Sequence, residues 1–208
     1  KVVVDEAGII ASNMDPEMEE RDKHALSKAQ ETGIISLDPA TKIFVHEIRP
    51  SPTLVSDGVG EIAIALTEMA RLLGYHTVVI DPRGVFATEM RFPHIDRLIQ
   101  KWPRSAFSEI ALSPDTAVAL LTHDPKIDDP SLKILLEEDV FYIGALGSRK
   151  THDRRLQRLW KMGFSESQTD RIFAPIGLDI GATNPQEIAL AIMSEIVAQR
   201  NGRGMVAA

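Results

Sequence analysis

The chain has 208 residues, 44% of them hydrophobic and 25% charged, with a formal net charge of −7. That length holds one large domain, or one domain with an appendage, around a sizeable core. The acidic balance argues against a general nucleic-acid surface, which needs excess Lys and Arg, and the absence of cysteine excludes disulfides, thiolate metal sites and a cysteine nucleophile.

No apolar run approaches the roughly 20 residues of a membrane-spanning helix. The first residues are no secretory signal, because Asp5-Glu6 follow the apolar stretch at once. The expected setting is therefore soluble and cytoplasmic. The chain opens on Lys1 rather than Met, and we expect further sequence ahead of it.

In chain order, Val2-Val3-Val4 and Ile9-Ile10 flank a turn at 5–8 and predict a strand, a turn and a strand. Residues 16–32 predict a helix between an Asp15 N-cap and a Gly33 C-cap. The runs at 34–37 and 43–48 flank Asp38-Pro39-Ala40-Thr41 and predict a hairpin. Residues 1–48 thus read as a small α+β piece, the end of a larger N-terminal domain. Residues 49–53 read as a linker, because Pro50 and Pro52 disfavour both helix and central strand.

From residue 54 the pattern changes. Leu54-Val55 predicts a strand. A helix over 61–73 follows, with Ile62, Leu66, Met69, Ala70 and Leu73 on one face and Gly74 beyond its end. Strands are predicted at 77–80, 117–121 and 140–143, and a last helix at 185–199 behind Thr183 or Asn184. Short apolar strands alternating with helices predict an α/β, Rossmann-like domain over 54–204, its parallel sheet covered by helices on both faces.

Two glycine turns fall where such a domain binds ligands. Gly58-Val59-Gly60-Glu61-Ile62-Ala63 has the form G-x-G-x-x-A between a strand and a helix, and Asp81 ends the next strand, 21 residues after Gly60. Free N–H groups at the helix start favour an anion, and Asp81 is placed to accept from a ribose. Asp57 and Glu61, beside the loop, work against an anion there. The second turn runs from Gly144 through Gly147, Ser148, Arg149 and Lys150 into a helix starting near Thr151. Backbone N–H groups, a hydroxyl and two cations make it the better phosphate cradle. His123 and Asp124 close the strand at 117–121. Asp179 closes a strand and loop expected at 175–182, and Arg83 and Arg91 add positive charge at the same edge. Ligands of open parallel sheets bind beyond the carboxyl ends of the strands, where all of these residues are expected.

Taken together, these segments resemble the XdhC/CoxI family, accessory proteins of molybdenum hydroxylases. The resemblance spans about residues 54–202. It is carried by Gly58–Ala63, Asp81-Pro82-Arg83, Phe86-Ala87-Thr88, Arg91-Phe92-Pro93, Thr122-His123-Asp124-Pro125, Ile143–Arg149 and Pro175–Ala182. It implies a homodimer that binds the molybdenum cofactor, as molybdopterin or its cytosine dinucleotide. It also implies that the cofactor is protected while a cysteine desulfurase supplies its sulfur, and is then delivered to an apo molybdenum hydroxylase. Where the family usually carries a His, this chain has Glu61, and it has Ser56 or Asp57 where the family has an apolar residue. An NAD(P)-binding oxidoreductase is the competing reading. His123 is its only proton-transfer candidate near these motifs, and no Tyr-x-x-x-Lys pair exists: Val79 and Leu146 stand four residues after Tyr75 and Tyr142.

Overall fold

The structure, a computed structural model, describes residues 2–5, 8–12, 33–36, 42–45 and 50–203. The chain divides into two compact units between Pro50 and Ser51. In the first, β1 (Val2–Asp5) pairs antiparallel with β2 (Gly8–Ser12), and β3 (Gly33–Ser36) with β4 (Lys42–Val45), Ile34 facing Phe44. The helix expected over 16–32 and the turn at 38–41 lie outside the described residues.

The second unit is built on a six-stranded sheet. Its strands are β5 (Thr53–Asp57), β6 (His76–Ile80), β7 (Arg97–Ile99), β8 (Thr116–Leu120), β9 (Tyr142–Ala145) and β10 (Ile172–Phe173). They are all parallel, in the order β10-β9-β8-β5-β6-β7. The two halves diverge from β5 and β8, the topological switch point of a Rossmann sheet. The four central strands are almost entirely buried, as expected of a sheet covered on both faces.

Helices α1 (Glu61–Leu72) and α6 (Pro185–Arg200) pack together. They join the core cluster that holds Leu54, Val79, Ala117, Ala119 and Ile192. A second cluster is built on Val55, Val78, Ile80, Val118 and Leu120. It takes in residues of α2 (Pro103–Phe107), α3 (Pro125–Leu135) and α4 (Arg149–Lys161). Successive strand residues alternate between the two clusters, so each face of the sheet has its own core. A short α5 (Glu166–Thr169) precedes β10. Asn184 and Glu187 form a capping box that fixes the start of α6.

Two boundaries differ from expectation. The strand before the second glycine turn is 142–145, not 140–143, so Gly144 lies inside β9. The stretch at 175–182 is a loop, and the strand lies ahead of it at Ile172–Phe173. Pro175 has no N–H to give a ladder, and Gly177 and Gly181 take φ values of +88° and +72°, outside the strand region. Among the described residues, no helix is long and apolar enough to cross a membrane.

Candidate functional site at the carboxyl edge of the sheet

The strand ends are tied together by backbone hydrogen bonds that continue past the ladders. Asp81 N donates to Ile99 O at 3.2 Å, Gly58 N to Ile80 O at 2.9 Å, Leu121 N to Asp57 O at 2.8 Å and Leu146 N to Leu120 O at 2.9 Å. Four loops therefore leave the sheet in a fixed row. Gly58 takes φ +120°, and a Cβ there would come within 3.0 Å of Thr122 Cγ2 and 3.1 Å of the Leu121 carbonyl carbon. Only glycine fits this turn against the β8 loop. Ser56 Oγ braces the turn by donating to Gly58 O at 3.1 Å.

Gly60, the N-cap of α1, differs. A Cβ there would meet nothing within 4 Å, and no side chain caps the helix. The start of α1 therefore has free space on the Cβ side of Gly60 and no side chain capping its first N–H groups. Glu61 is engaged, because Arg91 Nη2 donates to its Oε1 at 2.7 Å. The charge that the sequence sets against an anion is thereby offset at its own helix terminus.

Asp81 is fully buried, and both its oxygens are occupied. Arg83 N and Nε donate to Oδ1 at 2.8 and 2.9 Å, and Nη2 donates to Oδ2 at 2.7 Å. The carboxylate expected to read a ribose instead orients an arginine. The Arg83 side chain is half exposed, and its hydrogen bonds to Asp81, with the charge of Asp124 nearby, hold its guanidinium firmly protonated. It is thereby anchored at the end of β6.

At the end of β8, Thr122 is buried and bonded to the Asp128 carboxylate, while His123 is exposed with φ +90°. Asp124 caps α3, accepting from Lys126 N at 2.9 Å. At the second turn, Gly144 serves packing: a Cβ would lie 2.5 Å from Ile176 Cδ1 and from Tyr142 OH. Gly147 turns the chain with φ +131°. Ser148 caps α4, accepting from Thr151 N at 3.3 Å. Arg149 and Lys150 follow, exposed at the helix start. Asp179 is exposed in the 175–182 loop, whose Leu178 N bonds to α6 at Ala191 O.

The structure adds residues that the sequence did not single out. Helix α3 carries Asp128 and Ser131 on its buried face. Ser131 reaches Asp57, and Asp128 reaches Thr122 and, at 3.4 Å, Arg155 Nη2. Arg155 is almost wholly buried and donates to Leu146 O at 2.8 Å, while its Nε and Nη1 find no partner. Burial pushes the Asp128 carboxyl up, against the bonds from Thr122 and Arg155. Burial, with Arg155 nearby, pushes the His152 imidazole down. A buried polar bridge thus runs from the first glycine turn through α3 to the second. Its signal in the sequence is polar residues at 128 and 131 among apolar Ile127, Leu132 and Leu135.

Among the described residues, no group of three or more His, Cys, Asp or Glu is arranged to hold a metal. What the edge offers is helix N-termini, an open space over Gly60, and the cations Arg83, Arg149 and Lys150, which suit a ligand with phosphate groups.

Comparison with known proteins agrees with this architecture. The chain is 31% identical over 163 residues to a Bacillus subtilis protein described as a probable subunit of xanthine dehydrogenase, covering 78% of this chain and 47% of that one. It is 40% identical over 99 residues to the Escherichia coli molybdenum cofactor insertion chaperone PaoD, covering 48% of this chain and 30% of that one. A crystal structure described as a xanthine dehydrogenase from Bacillus halodurans superposes with a TM-score of 0.77 at 27% identity, over 97% of this chain and 57% of that chain. The chain spans less than half the length of these two curated relatives. The XdhC Rossmann domain itself matches residues 54–196, and the chain belongs to that family.

Proposed function

We propose that this chain carries the molybdenum cofactor during maturation of a molybdenum hydroxylase of the xanthine dehydrogenase type. It holds the cofactor at the carboxyl edge of the sheet and delivers it to the apo-enzyme. The observation that carries the reading is the open, uncapped start of α1 at Gly60, facing a sheet edge that also bears Arg83 and the Ser148–Lys150 turn. It fits the family and a relative named as a cofactor insertion chaperone. Gly58, Gly60, Arg83, Gly147, Ser148 and Arg149 are the residues that would hold the phosphate-bearing tail, with His123 and Asp124 between the two turns. Once bound, the cofactor is cargo whose molybdenum centre serves the acceptor enzyme. The chain has no cysteine, so sulfur for the cofactor comes from a partner cysteine desulfurase. We further propose a homodimer as the working form.

The strand order also suits NAD(P), the second reading. The Asp81–Arg83 pairing weighs against it, since no free carboxylate remains at the end of β6 for a ribose diol. Purification from a host that makes the cofactor decides between them. We expect released pterin, detected by its fluorescence; recovery of NAD(P) without pterin would overturn the carrier reading. Arg149→Ala should weaken pterin retention by about tenfold or more, the loss of a charge-assisted contact of about 1.5–3 kcal/mol. Unchanged retention removes Arg149 from the site.

A further inference from the structure

Asp57 closes β5 one residue before Gly58 and is fully buried. As a carboxylate it would repel any anion over the turn. Counting hydrogens points the other way. Ser131 Oγ lies 3.0 Å from Ile127 O, four residues earlier in α3, and in short contact with Asp57 Oδ2. A serine hydroxyl has one hydrogen to donate. Unless that one hydrogen is split between two acceptors, both contacts are hydrogen bonds when Asp57 carries a proton on Oδ2. The acid then donates to Ser131, and Ser131 donates to Ile127 O. The other oxygen, Oδ1, is buried without a partner. An unpaired carbonyl oxygen of a neutral acid costs far less than an unpaired carboxylate oxygen.

The surroundings favour the same state. The charged groups acting on Asp57 are Asp128 from α3, and Asp81 and Arg83 from the end of β6. Arg83 is committed to Asp81 through three hydrogen bonds. Burial is the largest influence, and the two aspartates add to it. Together they outweigh the Ser131 bond and Arg83, pushing the Asp57 carboxyl up to about 8.

We infer that Asp57 is held as a neutral acid that donates to Ser131, and that this neutrality is what allows the first glycine turn to take an anionic group of the cargo. Asp57 is a positioning residue: it acts through the Gly58 turn without touching the ligand. The inference rests on the cofactor-carrier reading. As pH rises through about 8, Asp57 ionises. A negative charge then appears beneath the turn, and the Ser131 hydrogen is drawn from Ile127 O to Asp57.

The test compares the wild-type protein with Asp57→Asn, which keeps the shape and a donor but cannot ionise. Molybdopterin affinity is measured from about pH 6.5 to about pH 9, and the Asp57 carboxyl carbon is followed by NMR in the ligand-free protein. Its resonance is assigned by its absence from the variant. We expect wild-type affinity to fall about tenfold between about pH 7 and pH 9, the variant to change less than about twofold, and the resonance to titrate near 8. A midpoint in the ordinary carboxylate range overturns the inference, and so does a variant that loses affinity with pH as the wild type does. A wild type that holds no pterin at any pH overturns the carrier reading and the role of Asp57 together, and is told apart by the absence of any affinity to compare.

Discussion

Among the described residues, His123 is the one that is not glycine yet has a positive φ, +90°. A side chain in that region costs about 1 kcal/mol or more, and such strain gathers at functional sites. The neighbours impose it: Thr122 is fixed by Asp128, and Asp124 caps the helix that begins at Pro125. His123→Gly should relieve the strain, leaving stability unchanged or raised by up to about 1 kcal/mol in urea unfolding. If the ring faces the cargo, the same variant should retain pterin at least about fivefold more weakly. A variant that loses stability but keeps its cargo would make His123 a structural residue. The tight turn at Gly58 was legible in the sequence, because the first glycine of G-x-G-x-x-A carries its own steric reason, whereas Gly60 has open space where a Cβ would stand. The partners of the acids were not. Asp81 reads as a free acceptor until the fold lets Arg83, two residues on, fold back over it. Asp57 reads as a repelling charge until α3 covers it with Ser131.

At the scale of elements, continuous apolar runs gave away β5, β6 and β8, because strands buried on both faces need them. Helix α3 was not legible, since Pro130 stands inside it and a proline argues against a helix interior. Strand β7 is three residues long and begins on Arg97 at the sheet's edge, too short for a periodic signal. The two-residue shift of β9 has a packing cause. Ile176 and the Tyr142 hydroxyl occupy the space a side chain at 144 would take, so the strand admits glycine there. Tyr142 OH donates to Glu195 Oε2 of α6 at 2.5 Å, and Gly177 N donates to the same oxygen at 2.9 Å. Gly144→Ala should therefore disturb strand, loop and helix at once. We expect about 1–3 kcal/mol of destabilisation by overpacking, seen as a lower midpoint in urea. An unchanged midpoint would show that Ile176 yields freely and that the glycine is kept for another reason.

At the scale of the whole molecule, one topological fact brings together residues spread from 57 to 155 in the sequence. The order β10-β9-β8-β5-β6-β7 sends the chain outward in two directions from β5 and β8, so the loops after four strands meet at one edge. Every described core residue in the two hydrophobic clusters lies between Leu54 and Val197, and the division into compact units falls between Pro50 and Ser51. A unit that contains its own sheet, both of its cores and all of the candidate ligand contacts has what it needs to fold alone. A chain beginning at Ser51 should thus unfold cooperatively within a few degrees of the 208-residue chain, and should retain pterin with the same affinity to within about threefold. Loss of the cooperative transition would show that residues before 51 complete the core. An intact transition with lost pterin would place part of the cargo site in the first unit and move the centre of recognition away from the sheet edge.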